Sequence, residues 1–154
     1  KIVATSGLAL GDRSPFSKQS LAEALLTPTR IYVKPVLKAL KKPGIKALAH
    51  LTGGGFVENI PRVLPKGAVA EINLDAVPYA PVFDWLARTG GVAEREMLLT
   101  FNCGIGMIVV VNPKYFKTIA ASLKASGERV CVLGSIRKRN GREEQVVFSG
   151  ALNT

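Results

Sequence analysis

Short apolar runs and helically spaced apolar residues alternate along the chain, and this alternation predicts both strands and helices. Strands are predicted over Ile45 to Leu51 and over Ala68 to Leu74, each beginning just after a Pro- and Gly-containing turn. The near-continuous apolar run from Ile108 to Val111 indicates a central strand, because such a run suits a strand that is covered on both faces.

The C-terminal part of the chain carries a predicted β-hairpin. The segment from Arg129 to Arg137 has strand character, and Asn140-Gly141 is a strong two-residue turn sequence. Strand character returns from Gln145 to Ser149. We therefore expect these two strands to pair with each other in antiparallel orientation.

Helices are predicted where apolar residues recur every three or four positions after a capping residue or a proline. Ser20 and Glu23 have the spacing of a capping box at the start of the first helix. In the helix that Pro35 opens, Val36, Leu37 and Leu40 are expected on one face. The predicted helices are Leu21 to Leu26, Pro35 to Lys41, Asn59 to Leu64, Pro81 to Arg88, Ala93 to Thr100 and Lys114 to Ala125.

The order of these elements predicts an α+β fold in which helices cover a mixed β-sheet. A chain of 154 residues is long enough for one domain with a sizeable core. We interpret residues 1–20, which are rich in Gly, Ser, Lys and Arg, as a loop-rich N-terminal segment. Residues 21–154 are then the folded domain.

The composition is that of a globular protein. Hydrophobic residues make up 47% of the chain and charged residues 21%, which argues against disorder. The longest apolar run, Ile105 to Val111, is far too short to cross a bilayer. Cys103 and Cys131 lie in apolar surroundings without CxxC spacing, so we predict reduced, buried thiols in a cytoplasmic protein, and no metal site.

The net charge of +10 points to an anionic partner. Nucleic acids and phosphorylated metabolites are both candidates. Neither cluster of basic residues is interleaved with the aromatic residues that a base-stacking surface requires, so nucleic acid is the less favoured partner. The clusters are Lys34, Lys38, Lys41, Lys42 and Lys46, and then Arg137, Lys138, Arg139 and Arg142.

The chain's one histidine, His50, stands just before a run of three glycines at the end of a predicted strand. Rigid glycines offer bare N–H groups that can bind a phosphate, and Thr52 adds a hydroxyl donor. The alternative is that Gly53-Gly54-Gly55 only lets the strand turn tightly over a packed core. The loop has neither the Lys-Ser or Lys-Thr pair of a Walker A loop nor the GxGxxG spacing.

Several polar residues are candidates to contact the same ligand. His50 is one, although a lone histidine in an apolar strand is more often hydrogen-bonded in a core. Asn59 is interpreted as a helix N-cap or as a partner of a ribose hydroxyl. Arg62 offers a fork of donors, and a surface salt bridge explains it equally well. Asn102 joins this set if its own glycine-rich loop lies beside the first.

Three stretches of the chain are distinctive and occur in a fixed order. They are Leu25-Leu26-Thr27-Pro28-Thr29-Arg30-Ile31-Tyr32-Val33-Lys34-Pro35, His50-Leu51-Thr52-Gly53-Gly54-Gly55-Phe56-Val57-Glu58-Asn59-Ile60-Pro61-Arg62-Val63-Leu64-Pro65, and Glu96-Met97 followed by Thr100-Phe101-Asn102-Cys103-Gly104-Ile105-Gly106-Met107. Together they resemble the C-terminal domain of the phosphoribosylformylglycinamidine cyclo-ligase family, also called aminoimidazole ribonucleotide synthetase. The resemblance extends from Leu21 to Phe148.

The resemblance implies an ATP-dependent ring closure in de novo purine biosynthesis. In that family the formamide oxygen of formylglycinamidine ribonucleotide takes the γ-phosphate of ATP. An internal nitrogen then attacks, which expels phosphate and closes the imidazole ring. The implied ligands are the phosphoribosyl substrate, ATP and Mg. The loop from Thr52 to Gly55 is then the candidate phosphate site, with His50 as the catalytic candidate and Asn59, Arg62 and Asn102 as neighbours.

The resemblance also implies a larger, homodimeric enzyme. The family's N-terminal domain, which holds ATP and Mg, is not in the sequence, and neither is the His-Ser-Asn-Gly segment expected just before Lys1. We therefore expect this chain to be a C-terminal domain that has no activity on its own and that acts together with the N-terminal domain.

Two other functions are considered beside this one. The first is another ATP-dependent enzyme of the same superfamily, such as a selenophosphate synthetase or a thiamine-monophosphate kinase. The Phe101-Asn102-Cys103-Gly104 and Glu58-Asn59-Ile60-Pro61-Arg62 runs argue against it. The second is a non-catalytic domain that binds anions or nucleic acid, which only the net charge suggests.

Overall fold

Helices and short strands alternate along residues 1–153, the part of the chain that this computed structural model describes. The helices are α1 (Ile2–Thr5), α2 (Leu21–Leu25), α3 (Val33–Leu40), α4 (Gly55–Asn59), α5 (Pro81–Gly90), α6 (Glu94–Thr100) and α7 (Phe116–Lys124). The strands are β1 (Ile45–His50), β2 (Ala68–Asn73), β3 (Met107–Val111), β4 (Gly134–Lys138) and β5 (Val146–Ser149). Single 3₁₀ turns cover Pro61–Val63, Leu74–Ala76 and Pro113–Tyr115. The predicted α+β class is confirmed.

Local capping signals place several helix ends as predicted. The Ser20 hydroxyl accepts a hydrogen bond from the backbone N–H of Glu23, and the Glu23 carboxylate accepts one from the backbone N–H of Ser20 at 3.0 Å. This is a complete capping box. Pro81 lies in the first turn of α5, and Gly91 ends that helix in the left-handed conformation with φ of +58°.

The strands form two small sheets rather than one. In the first, β1 pairs with β3 in antiparallel orientation. The prediction that Ile108 to Val111 forms a central strand is wrong, because within the described residues β3 pairs with β1 alone and all its residues are only half-buried. Its apolar residues are divided between two clusters: Ile108 packs against the core around Phe56, and Val109 and Val111 pack against the cluster of Ala39, Ile119 and Leu123.

The second sheet has the order β4-β2-β5, so the predicted hairpin is also wrong. β2 pairs antiparallel with β4 and parallel with β5, and thus lies between them. The connection between the outer strands crosses the start of β2, where the Arg139 backbone N–H donates to the Gly67 carbonyl at 2.8 Å. Val69 and Ala70 of β2 are fully buried and Ile72 is buried as well, so the central strand of this sheet is also its most buried strand.

The main core gathers around Phe56 of α4, and a smaller cluster joins Ala39 of α3 to α7. The apolar face of α3 that holds Val36, Leu37 and Leu40 is not the face that this helix buries. Leu37 and Leu40 are 57% and 46% exposed, whereas Pro35 and Ala39 are buried. A small side chain at position 39 lets α3 approach α7 closely, and this contact turns the larger leucines outward.

The two cysteines are free thiols in different surroundings. Cys103 is fully buried, as predicted, and burial raises the pKa of its thiol to about 12. The prediction that Cys131 is buried is wrong, because it lies exposed in the segment before β4. None of the helices within residues 1–153 combines the length and the apolar character that crossing a bilayer demands.

Candidate functional site

The pairing of β1 with β3 brings two glycine-rich loops together. His50 ends β1 opposite Met107 at the start of β3, and the Leu51 backbone N–H donates to the Gly106 carbonyl at 2.9 Å. Antiparallel pairing places the end of one strand beside the beginning of the other. The loop after His50 and the loop before Met107 therefore lie side by side.

These loops border an open cleft of about 390 Å³, called the cleft below. A third segment, which precedes α3, and one aromatic residue of α5 complete it. Its lining residues are Thr29, Arg30, Tyr32, His50, Leu51, Thr52, Gly53, Phe83, Thr100, Phe101, Asn102, Gly104 and Gly106. The Phe83 and Phe101 rings pack with centroids 5.8 Å apart and give the cleft one aromatic wall.

The structure brings half of the predicted site residues to the cleft. His50, Thr52, Gly53 and Asn102 line it. His50 is exposed, so the alternative of a histidine buried in a core does not apply. Its ring meets the edge of the Tyr32 ring with centroids 5.8 Å apart. The other four predicted residues, Gly54, Gly55, Asn59 and Arg62, do not line the cleft.

Gly54 and Gly55 serve the packing of α4. Both have positive φ, +91° and +51°, a conformation that glycine adopts without strain. A Cβ on Gly55 would overlap the Leu98 carbonyl oxygen and come within 2.7 Å of the Phe101 carbonyl oxygen. Gly53 differs, because a Cβ there would meet no atom within 4 Å. The tight-turn interpretation thus accounts for two of the three glycines.

Asn59 and Arg62 hold the glycine loop in place from behind. The predicted helix from Asn59 to Leu64 is found only as the 3₁₀ turn Pro61–Val63, and the predicted N-cap is wrong because Asn59 ends α4. Its buried side-chain amide donates to the carbonyls of Gly53 at 3.2 Å and Gly55 at 2.8 Å. Arg62 in turn donates to the Asn59 side-chain oxygen at 3.1 Å and pairs with Glu58 at 3.5 Å. The salt-bridge interpretation of Arg62 therefore fits the structure.

Asn102 begins a tight turn on the opposite side of the cleft. The Ile105 backbone N–H donates to the Asn102 carbonyl at 2.9 Å, across Cys103 and Gly104 with φ of +50° and +98°. Positive φ at both central positions marks a type I′ turn. The Asn102 side chain accepts from the Gly104 N–H at 3.0 Å and donates to the Leu51 carbonyl at 3.5 Å, so it connects both loops.

Arg30 and Tyr32 are cleft residues that our site prediction did not include. Arg30 donates through Nε to the Glu128 carboxylate and through Nη2 to the Gly127 carbonyl, each at 2.7 Å. The Tyr32 side chain reaches Gly106, the residue before β3, where an added Cβ would overlap the Tyr32 hydroxyl. Both residues belong to the first of the three distinctive stretches, and that stretch was the sequence signal that could have identified them as site residues.

The polar lining of the cleft favours anions. Arg30 is its one formally charged residue, and three threonines, an asparagine and a histidine supply further donors. Burial, followed by the nearby Glu128 carboxylate, raises the pKa of Tyr32, so its hydroxyl stays a donor at neutral pH. No carboxylate lines the cleft, and residues 1–153 contain no group of three or more His, Cys, Asp or Glu residues that could hold a metal ion. The cleft therefore has no donor set for Mg²⁺.

Comparison with protein families adds one finding to this geometry. The family model described as AIR synthase related protein, C-terminal domain, matches residues 2–147. The match spans all three segments that border the cleft.

Proposed function

Because the chain belongs to the family of AIR synthase related protein C-terminal domains, we propose that it is the C-terminal part of a phosphoribosylformylglycinamidine cyclo-ligase. In this proposal the cleft binds the phosphoribosyl substrate of an ATP-dependent ring closure. The substrate is formylglycinamidine ribonucleotide, and the product is aminoimidazole ribonucleotide.

One observation carries the proposal: the three distinctive stretches of sequence meet at one cleft. Thr29, Arg30 and Tyr32 come from the first stretch, His50 to Gly53 from the second, and Thr100 to Gly106 from the third. Sixty residues lie between Pro35, the end of the first stretch, and Glu96, the start of the third, so local folding does not explain their convergence. Convergence of distant loops at a polar, concave surface is typical of a ligand site.

The proposed reaction transfers the γ-phosphate of ATP to the formamide oxygen of the substrate. An internal nitrogen of the substrate then forms a bond to the formamide carbon. The bond between that carbon and the phosphorylated oxygen breaks, and phosphate leaves. Catalysis of this kind depends chiefly on positioning and on stabilisation of developing charge. In this proposal His50 and Asn102, which line the cleft, position the substrate, and the Phe83–Phe101 wall excludes water from one side of it.

The donors of the cleft fit an anion and do not fit Mg²⁺, so we derive no step through the metal from this chain. In the proposed enzyme, Mg and ATP are held mainly by an N-terminal domain, and the whole enzyme is a cytoplasmic homodimer. The basic charge of +10 suits two anionic substrates.

A thermal-shift titration tests the proposal. Aminoimidazole ribonucleotide at 100 times its Kd is expected to stabilise the chain by about 2.7 kcal/mol. For a chain of this size that corresponds to a rise in Tm of about 5–10 °C. Thiamine monophosphate is the comparison ligand from the alternative superfamily function. A shift with thiamine monophosphate and none with the ribonucleotide would refute the proposed substrate.

Matched variants connect such a shift to the cleft. Thr52→Val removes a hydroxyl from the cleft lining at nearly constant volume and is expected to weaken the ribonucleotide-induced shift. Thr118→Val makes the same change on the exposed surface of α7, outside the cleft, and is expected to leave the shift unchanged. Equal shifts in both variants would mean that the ligand binds elsewhere.

A further inference from the structure

The glycine loop, Thr52 to Gly55, offers few free hydrogen-bond donors to an anion. α4 has only five residues, so its N-terminus lacks the aligned peptides of a longer helix. The Gly55 backbone N–H already donates to the Thr52 carbonyl at 3.1 Å, and Gly55 is buried against α6. Only Gly53 of the triplet lines the cleft. The positive charge that a phosphate requires must therefore come from another element.

That charge is available at Arg30, the one formally charged residue of the cleft lining. Thr29 beside it, and Thr52 and Thr100 from the two loops, add hydroxyl donors to the same cleft. We propose that Arg30 recognises the phosphate group of the ligand and thereby selects phosphorylated over unphosphorylated ligands. This inference rests on the proposed function of the cleft as a ligand site.

Two hydrogen bonds orient the Arg30 guanidinium before any ligand binds. Its Nε donates to Glu128 and its Nη2 to the Gly127 carbonyl, which occupies one edge of the planar group. A guanidinium has five N–H donors, and within residues 1–153 only these two have partners. The remaining donors include the pair at the outer end, which matches two oxygens of a phosphate. A preoriented fork loses little conformational entropy when it binds.

The solvent exposure of Arg30 and of its partner Glu128 also distinguishes Arg30 from a structural arginine. The Glu128 side chain is 13% exposed, whereas the Arg30 side chain is 55% exposed, so the carboxylate supports the guanidinium from beneath. Arg137 shows the contrast. Its Nε, Nη1 and Nη2 are all engaged, with Glu71 on one side and Glu143 on the other. Arg137 has a structural partner on each side, and Arg30 has one only on the side away from solvent.

The recognised group is a phosphate, which either a ribonucleotide monophosphate or a nucleoside triphosphate could supply. Ribose 5-phosphate represents the first source, and a non-hydrolysable ATP analogue represents the second. Calorimetric titration of each into the intact chain measures the Kd directly. The unphosphorylated aminoimidazole riboside serves as the ligand that lacks the recognised group.

The decisive variant is Arg30→Gln, with Arg88→Gln as its matched control. Arg88 also donates through Nε to a carboxylate at 2.7 Å, and it lies outside the cleft. R30Q is expected to raise the Kd for ribose 5-phosphate by about tenfold or more, the usual effect of losing charge-assisted hydrogen bonds. R88Q is expected to bind as the wild type does. R30Q is also expected to keep the wild-type affinity for the riboside.

Two further variants separate phosphate recognition by Arg30 from a purely structural role of its contact with Glu128. Glu128→Gln keeps an acceptor for Nε and removes a neighbouring negative charge, so phosphate affinity is expected to be kept or increased. Arg30→Lys keeps the charge without the fork and is expected to bind ribose 5-phosphate with an affinity between those of R30Q and the wild type. Equal weakening by R30Q and E128Q would overturn the inference, as would wild-type affinity in both R30Q and R30K.

The outcomes also separate this inference from the proposed function. If ribose 5-phosphate binding depends on Arg30 and aminoimidazole ribonucleotide binds no more tightly than ribose 5-phosphate, the proposed substrate is wrong and the inference stands. If the ribonucleotide binds equally to wild type and R30Q, the inference is wrong and the proposed function stands. Arg30-dependent binding of the ATP analogue alone assigns the recognised phosphate to the nucleotide.

Discussion

Gly55→Ala provides the sharpest test of how the glycine loop is built. The new methyl group would overlap the Leu98 carbonyl oxygen, so α4 and α6 must move apart at a fully packed contact. Overpacking of this kind costs about 1–3 kcal/mol. Alanine at the left-handed φ of +51° adds about 1–2 kcal/mol. The free energy of unfolding is therefore expected to fall by about 2–5 kcal/mol.

Urea unfolding followed by circular dichroism measures this loss. For a chain of this size each kcal/mol lowers Tm by about 2–4 °C, so a parallel thermal scan gives an independent value. Gly53→Ala is the control, because a Cβ at position 53 meets nothing within 4 Å and Gly53 is not among the glycines with positive φ. It is expected to change stability by less than about 0.5 kcal/mol. Equal stability of the two variants would show that the close approach of α4 to α6 is not as described.

Two further predictions concern titratable groups. Hydrogen bonds from Arg137, and then from the Asn140 backbone N–H, lower the pKa of Glu143 to about 2. A lowered pKa contributes stability above the ordinary carboxyl range and loses it as pH falls, so the urea midpoint is expected to decline between about pH 5 and pH 2. Glu143→Gln should decline less steeply over that range, and a parallel decline would contradict this assignment. Native protein is expected to react with a thiol reagent at Cys131 only, since burial raises the Cys103 pKa to about 12. Cys131→Ser should abolish the reaction until urea is added, and continued labelling of that native variant would contradict the buried state of Cys103.

Local chemistry in the sequence predicted individual elements well. The Ser20–Glu23 capping box, the proline at the start of α5 and the strand before His50 all lie where the residues placed them. Each depends on hydrogen bonds and dihedral preferences within a few residues. Such features are decided before the chain makes its distant contacts.

Contacts between distant segments were harder to predict from the sequence. Asn140-Gly141 favours a turn, but it does not reveal that β2 lies between the strands that flank the turn. Leu37 and Leu40 formed the more apolar face of α3, yet the small Ala39 allowed the closer contact with α7. These arrangements depend on which apolar surfaces of the whole chain pack together best. No single segment of the sequence contains that information.

The candidate site was partly predictable for the same reason. His50, Thr52, Gly53 and Asn102 were found because they stand in two glycine-rich loops that a strand pairing brings together. Arg30 was not included, because its orientation in the cleft depends on its contact with Glu128, which lies 98 positions away along the chain. Asn59 was interpreted as the N-cap of a helix that follows it. In the structure it is the last residue of α4, and its side-chain amide donates back to the Gly55 carbonyl.

Nuclear magnetic resonance of the isotope-labelled chain, 16.4 kDa in mass, tests the central claim most directly. Aminoimidazole ribonucleotide is titrated and the shifted backbone amides are mapped onto the sequence. We expect the largest shifts to fall together in residues 29–32, 50–53 and 100–106 and to saturate with a single Kd. Shifts concentrated in β4 or α7, or none at all, would contradict the claim that these three segments form one ligand site.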